Sequence, residues 1–168
     1  MNESCVALLL GSNQGDAMGY LAEASKRIGI SIGHIIAASE IYKTAPWGKT
    51  DQPEFLNQLL LVEVEQHPSE VMERILAIEL EMGRIRDERW GPRIIDIDLL
   101  YAGSQVIDQP GLRIPHPALS QRRFALAPLS ELIPDFIHPE LGVSQRELLE
   151  RCNDSGLVEK VQLYNPAD

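Results

Sequence analysis

Residues 94–100, Ile94-Ile95-Asp96-Ile97-Asp98-Leu99-Leu100, set two carboxylates in a run of five aliphatics. Alternation with a period of two belongs to a β-strand. Asp96 and Asp98 share one face; Ile95, Ile97 and Leu99 share the other. An ordinary strand, dry on one side and wet on the other, accounts for this pattern without any function. Two like charges about 7 Å apart are tolerable in water and costly under cover, unless a cation lies between them. Hard carboxylate oxygens with no sulfur or imidazole beside them suit magnesium better than zinc.

Working outward, an arginine-bearing loop, residues 84–93, enters this strand, which the pattern extends over 94–101. Before the loop, Val71, Ile75, Ile78 and Met82 recur at helical spacing, so a helix opens at Pro68-Ser69, with Ser69 as its cap, and ends at Gly83. Residues 55–65 read as a long strand and 34–43 as another, separated by a turn-rich stretch from Thr44 to Pro53. Residues 5–10 read as a buried strand, followed by a helix capped by Asp16 and running to about Ile28. Val106-Ile107 is a candidate short strand. A helix beginning near Arg122–Phe124 covers Ala125 to Leu132, and the tail holds a short amphipathic helix over 144–149 and an unassigned end. The order strand, helix, strand, strand, helix, strand is the split βαβ pattern of an α+β, ferredoxin-like sandwich: an antiparallel sheet with helices on one face, plus C-terminal extras. No repeat or linker interrupts it, so residues 1–168 are expected to form one domain.

The chain carries a net charge of −10, which argues against a general nucleic-acid binder. Yet seven of its arginines lie between residues 84 and 123, a stretch that is net positive while the rest is strongly acidic. Arginine is suited to bidentate phosphate contacts, although a solvated charged loop has the same composition. No apolar run is long enough to span a membrane, and the first apolar run reads as a strand rather than a signal peptide. Cys5 and Cys152 have no metal-ligand spacing, which fits reduced thiols in a cytoplasmic protein.

Carboxylates holding a metal beside arginines on a loop make a candidate phosphoryl-transfer site. The chain lacks GxxxxGK[ST], which argues against a Walker-type site, and it carries no GxSxG, HExxH or CxxC motif. His116, between two prolines, is structural or a phosphate contact. Trp47, Phe55 and Phe124 sit at element entrances, where aromatics stack a flat heterocycle or simply edge the core. Asn57 shares a strand face with Phe55 and offers both a donor pair and an acceptor.

Arg89-Trp90-Gly91-Pro92-Arg93 followed by Asp96-Ile97-Asp98 resembles the signature of the 6-hydroxymethyl-7,8-dihydropterin pyrophosphokinase family. The likeness extends to Leu10-Gly11-Ser12-Asn13, Tyr42-Lys43-Thr44, Asp51-Gln52-Pro53, Phe55-Leu56-Asn57, Gly83-Arg84, Pro115-His116, Arg122 and Phe124. It implies transfer of pyrophosphate from ATP to the pterin hydroxymethyl group, with release of AMP, in folate biosynthesis. It further implies that Asp96 and Asp98 hold two magnesium ions. Phe55 and Phe124 would clamp the pterin, with Asn57, Thr44 and Ala45 reading its edge and Trp47 and Trp90 nearby. Arg84 and Arg93 would act on the moving phosphates; Glu79, Arg86, Trp90, Leu99, Arg113, His116 and Arg122 would complete the ATP site. Loops 44–54 and 84–93 would close over the substrates. The expected partners are small molecules only, with no nucleic acid and no membrane, and the expected state is a monomer. The alternatives are a non-catalytic ferredoxin-like module gripping an anionic ligand and a magnesium-dependent ATP enzyme acting on another heterocycle.

Overall fold

The computed structural model of the protein describes residues 1–84 and 93–163. Strand β1 (Cys5–Ser12) is central, and all eight of its residues are buried. It shows no polar alternation because both of its faces are covered. It pairs antiparallel with β4 (Phe55–Glu63) on one side and with β5 (Asp96–Ala102) on the other. Strands β2 (His34–Ala38) and β3 (Tyr42–Thr44) follow one another along the far side of β4, and β8 (Val158–Lys160) extends the sheet beyond β3. All these pairings are antiparallel, and the order from β5 through β1 and β4 to β2/β3 keeps the expected split pattern.

Helices α1 (Ala17–Ser31) and α2 (Pro68–Glu81) cover one face, where Val6, Leu8, Leu10, Ile97 and Leu99 meet Leu21, Ile28, Val71 and Ile75. Helices α3 (Arg123–Leu132) and α4 (Gln145–Arg151) cover the other, where Ala7, Leu9, Leu59 and Leu100 meet Leu126, Leu129 and Leu148. The expectation of helices on one face is thereby corrected: β1 is apolar at both parities, and each parity has its own layer. Each fully buried leucine here contributes roughly 1.5–3 kcal/mol of transfer free energy.

Several boundaries also differ from the sequence reading. The strand expected over 34–43 is split in two at Ser39. The Ser39 N–H donates to the Leu59 carbonyl at 2.9 Å, and the Leu59 N–H donates to Ser39 Oγ at 2.9 Å. The hydroxyl thus takes an acceptor's place in the ladder, and the register shifts between Ile35 and Ala37. The cap of α2 is His67, not Ser69: the Ser69 N–H donates to His67 Nδ1 at 3.1 Å, and Pro68, which has no N–H to satisfy, occupies the first turn. Strand β4 ends at Glu63 because the Val64 N–H turns to the Ser4 carbonyl. Strand β5 starts at Asp96, where its pairing with Gly11 begins. The short strand near Val106 is a separate hairpin, β6 (Ile107–Gln109) with β7 (Leu112–Ile114). Among the described residues, no helix is long and apolar enough to cross a membrane.

Candidate active site

Strand register builds the site. Gly11 of β1 lies between Asn57 of β4 and Asp96 of β5; one step along, Leu9 lies between Leu59 and Asp98. Asn57, Gly11 and Asp96 therefore form a row across three strands, on the sheet face that α3 and α4 share. Those helices leave this end of the face open, and a cleft of about 160 Å³ results. Its lining brings together Thr44, Ala45, Trp47, Phe55, Asn57 and Phe124 with Arg93, Asp96, Asp98, His116 and Arg122; Leu9 and Gly11 form its floor.

One half of the cleft is aromatic and amide-bearing. Asn57 Nδ2 donates to Thr44 Oγ1 at 2.6 Å, which fixes the amide. A Cβ at position 11 would lie 2.7 Å from Asn57 Oδ1 and 3.6 Å from the Phe55 ring, so only glycine leaves that amide its place. Trp47 meets Phe124 edge-on, with ring centroids 6.2 Å apart, and the Arg122 guanidinium lies 5.6 Å from the centroid of each ring.

The other half is ionic. Asp96 accepts Arg84 on Oδ1 and Arg93 on Oδ2, each at 3.0 Å. Helix α2 supplies the first of these through its C-terminus. Gly83 has φ +87°, its N–H donates to the Leu80 carbonyl, and the Arg84 N–H donates to the Glu79 carbonyl, a Schellman turn that folds Arg84 back over Glu79. The Glu79 carboxylate, 3% exposed, pairs with Arg84 and accepts the Ile97 N–H at 3.0 Å. Glu79 thereby joins α2, Arg84 and the acid-bearing strand. Asn13 does similar work for the loops. Its Nδ2 donates to Gln52 Oε1 and to the Pro53 carbonyl, while its Oδ1 accepts the Arg93 N–H at 2.8 Å.

Burial raises the Asp98 carboxyl well above its ordinary range; the Asp96 charge adds to this, and Arg122 and Arg93 oppose it. His116 is anchored by its N–H to the Leu100 carbonyl at 3.0 Å. Burial, aided by Arg122 and opposed by Asp96, lowers its pKa to about 4. The imidazole is therefore neutral at pH 7. Its Nδ1 accepts the Ala118 N–H at 3.3 Å, which leaves the ring's proton on Nε2.

Some expected site residues stand away from the cleft lining. Arg84 lies behind Asp96, and Glu79 is beneath it. The Leu99 side chain is in the core on the α1/α2 face, so any role there falls to its backbone. Arg113 is an exposed residue of β7. Arg86, Arg89 and Trp90 lie outside the described residues. Leu9 and Gly11 were missed as lining residues, although the glycine ending an otherwise apolar strand was a signal of close approach.

The donor set fits magnesium. Asp96 and Asp98 are paired hard oxygens on one strand face, and among the described residues no group of three or more His, Cys, Asp or Glu surrounds a common point. Magnesium is commonly held by one or two carboxylates, with substrate phosphates and water completing its shell.

The cleft thus opposes an aromatic, amide-bearing half to a carboxylate–arginine half, an arrangement compatible with phosphoryl transfer. Comparison with known proteins is more specific. The chain belongs to the 7,8-dihydro-6-hydroxymethylpterin-pyrophosphokinase family, whose model matches residues 7–134. It is 43% identical over 155 residues to the 2-amino-4-hydroxy-6-hydroxymethyldihydropteridine pyrophosphokinase of Methylorubrum extorquens, covering 91% of this chain and 96% of that one. It is 41% identical over 123 residues to the enzyme of that name from Pseudomonas aeruginosa, covering 73% and 75%. A crystal structure of Plasmodium falciparum HPPK-DHPS superposes with a TM-score of 0.74 at 19% identity, over 88% of this chain and 44% of that one. The chain thus spans less than half the length of that protein, and the likeness to it is one of fold. The family's reaction is pyrophosphoryl transfer from ATP to hydroxymethyldihydropterin in folate synthesis, which displaces the non-catalytic alternative.

Proposed function

We propose that the cleft carries out this transfer with its two halves dividing the substrates, the pterin on the aromatic half and the triphosphate on the ionic half. The row Asn57–Gly11–Asp96 carries the reading. Two strand spacings separate Asn57 from Asp96, about 10 Å. A bicyclic ring laid across Gly11, with its amide edge on Asn57, therefore presents its hydroxymethyl arm to the carboxylates. Phe55 and Phe124 take its faces, and Thr44 and Ala45 take its edge. The glycine keeps the floor flat.

Asp96 and Asp98 would hold magnesium, which when bound neutralises phosphate charge and draws the triphosphate and the hydroxymethyl oxygen together. Arg84 and Arg93, paired with Asp96 at 3.0 Å, exchange that carboxylate for phosphate oxygens as ATP enters. Their guanidiniums then stabilise the charge that builds while the hydroxymethyl oxygen attacks the β-phosphorus and AMP departs. His116 offers Nε2–H, and Arg122 its guanidinium, to the same phosphates. Positioning and charge neutralisation supply most of the rate in phosphoryl transfer, so the chemistry asks little of an acid–base residue.

The same reading makes the protein a magnesium-dependent, cytoplasmic monomer acting on small molecules without nucleic-acid partners. Its net charge of −10 supports the lack of nucleic-acid partners, and its two free, buried cysteines support a reducing compartment. The test is direct. Protein, ATP, 6-hydroxymethyl-7,8-dihydropterin and magnesium should yield AMP and pterin pyrophosphate in equal amounts; ADP in place of AMP, or no product, would overturn the reading.

A further inference from the structure

Two walls of the aromatic half come from distant parts of the chain: Thr44 and Ala45 from the end of β3, and Phe124 from the start of α3. One segment, residues 152–161, holds both. On the β3 side, β8 pairs Val158 with Thr44, the Ala45 N–H donates to the Leu157 carbonyl at 3.0 Å, and the Val161 N–H donates to the Ile41 carbonyl at 2.8 Å. On the α3 side, the Asp154 carboxylate accepts the Arg123 backbone N–H at 3.1 Å. The Arg123 side chain reciprocates, donating from Nε to the Asp154 carbonyl at 2.8 Å and from Nη2 to the Cys152 carbonyl at 3.1 Å. The second Asp154 oxygen accepts the Gly156 N–H at 2.9 Å, which fixes the turn leading into β8.

Helix α3 has no cap of its own, since the Arg122 side chain makes no capping bond. The first turn of a helix leaves N–H groups that need acceptors. Asp154 supplies one from 31 residues away in sequence. This segment also lies past residue 134, where the match to the family model ends.

We propose that residues 152–161 form a strap that sets the width of the pterin pocket, with Asp154 as its positioning residue. The inference rests on the pterin half of the proposed function. The strap's bonds go to Ile41, the Thr44–Ala45 edge and Arg123, beside Phe124, whereas Asp96 is held by Arg84 and Arg93. Loosening it therefore acts first on the pterin walls and reaches the triphosphate only through Arg122, the neighbour of Arg123.

Steady-state kinetics of three variants test this. Asp154→Ala should raise the KM for hydroxymethyldihydropterin about tenfold, the ~1.4 kcal/mol of a typical cap read wholly as lost pterin affinity, while the KM for ATP rises no more than about threefold and kcat stays within about twofold. Asp154→Asn, which keeps one carbonyl acceptor for the Arg123 N–H and gives up the bond from the Gly156 N–H, should hold the pterin KM to within about threefold of wild type. Arg123→Met, which keeps the backbone N–H bond and removes the side-chain donors, should give an intermediate rise, and it carries the test if Asp154→Ala fails to fold. An unchanged pterin KM, or proportional rises for both substrates, would overturn the strap. A wild-type protein that makes no AMP would instead overturn the function beneath it, whereas an active wild type with an indifferent Asp154→Ala would remove the strap alone.

Discussion

Replacing Gly11 with alanine is the most searching small change to the pterin half. The new Cβ would sit 2.7 Å from Asn57 Oδ1, against an ordinary contact distance of at least 3.4 Å. The oxygen must therefore retreat by about 0.7 Å, with the rest of an amide whose Nδ2 is held 2.6 Å from Thr44 Oγ1. Rotation far enough to relieve the clash breaks or strains that bond. With Asn57 displaced, the amide edge of the bound pterin is the polar group left without its partner, at a cost of about 1–3 kcal/mol, or roughly fivefold to a hundredfold in affinity. The added methyl also stands on the floor across which the ring is laid. Backbone conformation adds no penalty, because Gly11 lies in a regular strand rather than in the left-handed region, and the loss of unfolded-state entropy offsets part of the packing cost. The expected result is a tenfold to hundredfold rise in the pterin Kd, with a melting temperature within a few degrees of wild type and little change in ATP affinity. Tryptophan fluorescence titration with the pterin measures the first, and calorimetric melting the second. A pterin Kd within twofold of wild type would refute the geometry.

Glu79→Ala leaves the Ile97 N–H and one side of Arg84 without their acceptor; a loss of about 2–3 kcal/mol should lower the melting temperature by roughly 5–10 °C, and a shift under 1 °C would count against the role given to Glu79. Asn13→Ala severs the bonds to Gln52, Pro53 and Arg93 together, so the KM values of both substrates should rise severalfold; a rise confined to one would show that the two loops are not coupled through this side chain. The His116 pKa falls from 6.5 to about 4 on folding, so between those pH values the unfolded chain takes up a proton that the folded chain refuses. Wild-type stability should therefore decline across that window by up to about 3 kcal/mol more than that of His116→Gln, read by denaturant titration at pH 7 and pH 4.5, and parallel declines would contradict the neutral imidazole.

The parts of the molecule visible in the sequence are those fixed by local periodicity. The alternation at Asp96 and Asp98, the stripe on α2 and the all-apolar β1 each report their own burial. What escaped depends on distant partners. The break at Ser39 exists because its hydroxyl meets the Leu59 N–H on another strand. Strand β8 is three residues long and is ordered by the free edge of β3, which nothing in Val158–Lys160 announces. The second helical layer was hidden because a strand buried on both faces has no polar parity to show which side is covered. In the site, residue types pointed to the carboxylates, arginines and aromatics, but the floor at Leu9 and Gly11 and the turn that brings Arg84 onto Glu79 emerge only from register and a positive φ.

The claim on which the account turns is that Asp96 and Asp98 together hold the divalent cation that makes the triphosphate reactive. Single-turnover AMP release by Asp98→Asn, at saturating ATP, pterin and magnesium, tests it most directly. Loss of about 4 kcal/mol of transition-state stabilisation slows release roughly a thousandfold, while removal of a costly buried carboxylate leaves the melting temperature unchanged or higher. Release at near the wild-type rate from that folded variant would contradict the account.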